Sequence, residues 1–127
     1  MNRRLVVGLG NRLVEEDAVG VLVAEQLARD ARFADVDFIC GTTDLLRHGA
    51  ELRNRDLIVL VDAAAGNGPP GRVLVHEHGA AELSEYQCSA HHLSAVQALQ
   101  LLRWSDPGIA AARCVWVLVT TTQLPSA

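Results

Sequence analysis

Between Asp56 and Asp62 the chain runs Leu57-Ile58-Val59-Leu60-Val61, an unbroken apolar stretch closed at each end by an acid. A run that does not alternate gives neither face to water. It reads as a strand buried on both faces, the condition of a central strand in a parallel sheet. Parallel neighbours need crossover connections, usually helices, and the flanking sequence supplies them. Leu5-Val6-Val7 is a shorter strand of the same kind, broken by Gly8-Leu9-Gly10-Asn11. A helical pattern follows from Asp17 to Ala31, with Val19, Val23 and Leu27 in i, i+4 register. Val36 to Ile39 predicts a second strand and Asp44 to Arg53 a second helix. Past the central strand, Ala63 to Gly71 reads as a loop of small residues. Arg72 to Val75 predicts a fourth strand whose polar ends suit a sheet edge. A loop carrying Tyr86 and Cys88 leads to a third helix, His91 to Trp104, and Cys114 to Val119 predicts a fifth strand. The alternation predicts the α/β class: one three-layer domain over residues 1–127, a five-stranded, mostly parallel sheet with helices on both faces.

Composition narrows the function. Half of the 127 residues are hydrophobic, enough for one core and too few for two domains. The net charge of −4, with no basic cluster, argues against a nucleic-acid partner, whose binding rests on neutralising phosphates. All 11 basic residues are Arg; without Lys there is neither a Walker-type phosphate loop nor Schiff-base chemistry. No Ser sits in G-x-S-x-G, so a nucleophile elbow is absent. Cys40, Cys88 and Cys114 form no C-x-x-C pair, which fits a reducing compartment better than a disulfide framework or a four-Cys zinc site. The N-terminus lacks a signal-peptide apolar region, and no stretch reaches the roughly 20 apolar residues of a membrane span. The expectation is a cytoplasmic protein with no membrane partner.

In open α/β sheets, ligands bind at the carboxyl ends of the strands where strand order reverses. With the first strand beside the third, that edge collects the loop from Gly8 to Asp17, ending in Glu15-Glu16-Asp17, and Asp62 at the end of the central strand. Each acid has a plainer explanation. The helix dipole favours acids in a first turn, and Asp often opens a turn by bonding its own backbone. His76 and His78, at the end of an edge strand, read as solvated, and so does His48 beside Arg47. His91 and His92 differ, because Ser89 is a plausible N-cap just before them and the helix start faces the same sheet edge. Two carboxylates and one imidazole form a mixed O/N set for a borderline divalent metal, with positions left open for water or substrate. Gly8-x-Gly10 is half of a dinucleotide fingerprint, but position 13 is Leu.

The stretch from Leu5 to Gly20 resembles the N-terminal signature of the nickel–iron hydrogenase maturation endopeptidases: an apolar strand, G-x-G-N, an apolar residue two further on, a pair of acids, and a Gly three residues after the second acid. Gly8, Gly10, Asn11, Leu13, Glu16, Asp17 and Gly20 match in spacing. The family's metal-binding acid falls on Asp17 by its distance to Gly20. Its second carboxylate, closing a hydrophobic strand before small residues and a Pro-Gly turn, is matched by Asp62 and Pro70-Gly71. Its Ser-x-His-x-Leu histidine is matched by Ser89-Ala90-His91-His92-Leu93, which selects His91 over His92.

The resemblance implies a phosphorylase/hydrolase-like fold. It also implies an endopeptidase that removes the C-terminal extension of a hydrogenase large-subunit precursor once nickel is loaded. Asp17, Asp62 and His91 would be both the catalytic residues and the metal ligands. Nickel would arrive in the substrate, with no tight metal in the resting protein. Two departures are visible. The family's D-G-G-T-like loop is Cys40-Gly41-Thr42-Thr43 here, and members run on past the fifth strand into a helix that covers the sheet. That makes the expected chain a C-terminally shortened member with apolar sheet surface uncovered. The competing expectation is a non-catalytic relative that binds nickel or the precursor and cuts nothing.

Overall fold

The computed structural model describes residues 1–14, 17–66, 69–79, 86–87 and 90–121. Among the described residues six strands are present: β1 (Arg4–Leu9), β2 (Asp37–Thr42), β3 (Leu57–Gly66), β4 (Val73–Glu77), β5 (Tyr86–Gln87) and β6 (Arg113–Thr121). The helices are α1 (Val19–Ala28), α2 (Gly49–Leu52), α3 (Ala90–Ser105) and α4 (Pro107–Ala110). Five strands form the main sheet in the order β2-β1-β3-β6-β4. β1, β2, β3 and β6 are parallel, and β4 closes the edge antiparallel to β6. The apolar run Leu57 to Val61 thus lies in the middle strand. It pairs with β1 through Arg4↔Leu57 to Gly8↔Val61 and with β6 through Leu57↔Arg113 to Ala65↔Thr121.

Alternation along the buried strands divides two faces. Leu5, Val7, Ile58, Leu60, Cys114 and Trp116 pack with Ala95 and Leu99 of α3 in the main core. The opposite face carries Gly8 and Val61 and receives α1, whose buried residues are Gly20, Val21 and Ala24. Beyond α1 this face continues as half-buried Val115, Val117 and Val119 and reaches exposed Val73 and Val75 on β4.

At the amino edge, far from the loops of interest, buried Arg55 ties three elements together. It donates to Asp37 of β2, to the Asn2 carbonyl ahead of β1 and to the Glu51 carbonyl of α2. Arg103 plays a similar part for α4 and the turn after it, donating to the Ile109 carbonyl at 3.4 Å and to the Ala112 carbonyl at 2.7 Å.

Several boundaries differ from the sequence expectation. α1 begins at Val19 rather than Asp17, with Ala18 as a cap that offers no side-chain bond. The second helix divides into a 3-10 turn, Leu45–His48, and the single turn α2. The predicted small-residue loop after Asp62 is strand as far as Gly66, because β6 pairs with it along its length and β5 with its last two residues. Asp62 therefore lies inside β3, level with Leu9, the last residue of β1.

Candidate functional site

β1 and β3 are neighbours; from β1 the chain goes to β2 on one side, and from β3 to β4 at the far edge on the other. The sheet edge above this reversal carries the loop from Gly10 to Ala18, Asp62, and the start of α3.

The loop is built by its own hydrogen bonds. Gly10 takes φ +124°, a region open to glycine, and its N–H donates to the Thr42 carbonyl at 3.0 Å. Asn11 Oδ1 accepts from the Leu13 N–H at 2.9 Å, an Asx turn. The Val14 N–H returns to the Asn11 carbonyl, and the Asp17 N–H to the Val14 carbonyl. Asp17 is then turned inward, 2% exposed, with Oδ2 accepting from the Asn11 N–H at 3.1 Å. The helix-dipole explanation does not describe this acid. Its carboxylate bonds the preceding loop, and α1 starts two residues later with no acid in its first turn. Glu15 and Glu16 lie outside the described residues.

Asp62 is equally buried, 2% exposed. Its Oδ1 accepts from the Ala63 N–H at 2.8 Å, and its Oδ2 lies 2.7 Å from His92 Nδ1. Where the carboxylate is ionised it only accepts, and Nδ1 of His92 is then the donor. His92 is buried in turn, its ring edge-on to Trp116 with centroids 5.0 Å apart. Both ring and carboxylate face the α3 side of the sheet. His91 stands in the first turn of α3; its side chain, with Cys88 and Ser89, lies outside the described residues. Among the described residues, no group of three or more His, Cys, Asp or Glu side chains gathers around a single point.

The structure thus places Asp17, in the loop between β1 and α1, and Asp62, within β3, at one edge of the sheet, and joins Asp62 to His92 rather than to the expected His91. A signal for it exists: His92, Ala95 and Leu99 share an i, i+3, i+7 stripe, the buried face of α3. Two other histidines are corrected. His78 is not solvated: its Nδ1 accepts from Trp116 Nε1 at 2.9 Å, and Nε2 lies 2.9 Å from Gln100 Oε1. Burial lowers its pKa, reinforced by Arg103 and opposed by the Gln100 bond. His48 is held between Glu51 at 2.8 Å and Thr42 Oγ1 at 3.1 Å.

A cleft of about 500 Å³ opens beside Asn11 and is lined also by Arg12, Cys40, Thr42, Asp44 and His48. Its thiol is not an activated one. Partial burial, aided by Glu25 and opposed by Arg29, pushes Cys40 up, and a neutral thiol is a poor nucleophile.

The model of the hydrogenase maturation protease family matches residues 21–124. The chain belongs to that family. It is 28% identical over 106 residues to the hydrogenase 2 maturation protease of Escherichia coli, a match covering 81% of this chain and 65% of that protein. It therefore spans a little under two thirds of that relative. The NiFe hydrogenase maturation protease HybD of Thermococcus kodakarensis superposes with a TM-score of 0.78 at 24% identity, covering 98% of this chain and 84% of that one. The maturating endopeptidase HybD of E. coli does so with a TM-score of 0.73 at 23% identity, covering 97% and 76%. At such identities the superpositions speak for the shared fold: one α/β domain with a mostly parallel sheet.

Proposed function

We propose that this member of the hydrogenase maturation proteases is an endopeptidase that cuts a C-terminal extension from a nickel-loaded hydrogenase large-subunit precursor in the cytoplasm. The observation that carries the reading is the pair of buried acids, Asp17 and Asp62, fixed by backbone N–H groups at the reversal point of the sheet. Two carboxylates held at one sheet edge offer oxygen ligands of the right charge to a divalent cation arriving with the substrate.

Nickel is part of the substrate here, and the donor set fits it. Two carboxylates balance its charge, and an imidazole is a ligand that nickel accepts readily. Asp17, Asp62 and His91 are the residues proposed to engage it and so to bring the scissile bond to the edge. The reaction is water attack on the scissile carbonyl, with a carboxylate placed to take the proton or the metal to polarise the carbonyl. The precursor chain would lie along the polar cleft beside Asn11. In the resting protein no nickel is retained, and metal analysis of dialysed protein should return much less than one equivalent.

The test is the mass of the nickel-loaded precursor before and after incubation. Loss of a discrete C-terminal peptide, absent with nickel-free precursor, is expected. Asp62→Asn and His91→Ala should both abolish the loss while the circular dichroism stays that of the native fold. An unchanged mass with a stable complex would mean binding without cleavage, and normal cutting by both variants would remove the assigned site.

A further inference from the structure

Asp62 and His92 come from β3 and α3, 30 residues apart in sequence, and meet in a buried hydrogen bond. Both oxygens of the carboxylate are engaged, Oδ1 by the Ala63 N–H and Oδ2 by His92 Nδ1. The plane of the carboxylate is therefore fixed, and each oxygen keeps a lone pair for another partner. The ring that fixes it is itself fixed. Trp116, 1% exposed, meets the His92 ring at an interplanar angle of 70°. The indole N–H is spent on His78, and His78 on Gln100. Gln100 and His92 both ride α3, about two turns apart, so the helix meets the indole directly through the His92 ring and a second time through His78.

From this geometry we propose that His92 is the positioning residue for Asp62. It holds the carboxylate in the single orientation that serves cleavage and does not itself touch the substrate. The proposal rests on the endopeptidase reading and adds to it a role separate from that of His91. Removing the outer hydrogen-bond partner of a metal-engaging group typically costs 10–100-fold in metal affinity or activity.

Two replacements separate positioning from packing. His92→Leu keeps apolar bulk against Trp116 and loses the donor. His92→Asn places an N–H where Nδ1 stands and loses the ring. Positioning predicts that kcat on nickel-loaded precursor falls about 10–100-fold in His92→Leu, with KM unchanged, and recovers most of the loss in His92→Asn. Melting temperatures should run in the opposite order, Leu above Asn. Activity that follows melting temperature instead would overturn the proposal, as would His92→Leu cutting at the wild-type rate. A wild-type protein that leaves the loaded precursor uncut is a different failure: it removes the endopeptidase reading and this role with it.

Discussion

Gly20 sits in the first turn of α1, where the lack of a side chain lets the helix rest directly on strand backbone. A Cβ there would lie 2.4 Å from the Val61 carbonyl oxygen and 2.5 Å from that of Leu9, roughly 1 Å inside ordinary van der Waals separation. These atoms belong to the two central paired strands and cannot step aside as a side-chain tip would. From the other side, a Cβ on Gly8 would come within 2.4 Å of the Gly20 carbonyl oxygen. Two terms compete in Gly20→Ala. Helix propensity favours alanine by about 1 kcal/mol. Overpacking costs roughly 1–3 kcal/mol, and the rigidity of the opposing atoms puts this case at the upper end. The expected net loss is about 2 kcal/mol, read as a lower urea midpoint with unchanged slope. Gly49→Ala in α2 is the control. Its Cβ would meet only Leu102 Cδ2, at 3.6 Å, so a change between zero and about 1 kcal/mol of stabilisation is expected. Because α1 is entered directly from Asp17, a helix forced off the sheet also shifts that acid relative to Asp62. Cleavage should then fall by more than the unfolded fraction explains. Equal stability of Gly20→Ala and wild type would refute the close-approach account.

The amino-edge clamp gives a second test. Arg55 beside Asp37, helped by the Asn2 N–H, holds its carboxyl down from 3.8 to about 2. That gap is worth at most about 2.5 kcal/mol, and with the Asp37 side chain 34% exposed roughly 1 kcal/mol survives screening. A depressed folded value means the stabilisation is present above pH 3.8 and is lost as pH falls toward 2. Asp37→Asn should therefore be about 1–2 kcal/mol less stable at neutral pH, with the gap to wild type narrowing in acid; an identical urea midpoint at pH 7 would contradict the clamp. His78 supplies a third test. Its neutral form accepts from Trp116, and burial lowers its folded value below the ordinary 6.5. The unfolded chain then binds more protons, so this contribution is complete above pH 6.5 and is lost as pH falls below it. Unfolding free energies from about pH 7.5 to about 5.5 should decline more steeply for wild type than for His78→Gln, and parallel curves would show that the ring titrates as it does in water.

What could be read from the chain alone was whatever a local pattern determines. The run Leu57 to Val61 has to be buried on both faces, so its central place in a parallel sheet followed from five side chains and the demand that they avoid water. The spacing of Gly8, Gly10 and Gly20 was visible too, although its physical content, an approach so close that a Cβ on Gly8 or Gly20 would fall 2.4 Å from a carbonyl oxygen, needed the helix in place. The misread features share a different cause: each depends on a partner distant in sequence. Ala63 to Gly66 has little strand propensity of its own, and it is strand because β6 continues alongside it to Thr121. His78 looks like any polar residue at a strand end until Trp116, 38 residues away, offers its indole N–H. His92 was set aside for the neighbour that fits a family motif, while the stripe it shares with Ala95 and Leu99 already placed it on the buried face of α3. A histidine on such a face is usually only a core residue. What makes this one chemically interesting is the acid opposite it, and that pairing arises only when α3 packs over β3 and sets one ring nitrogen 2.7 Å from Asp62.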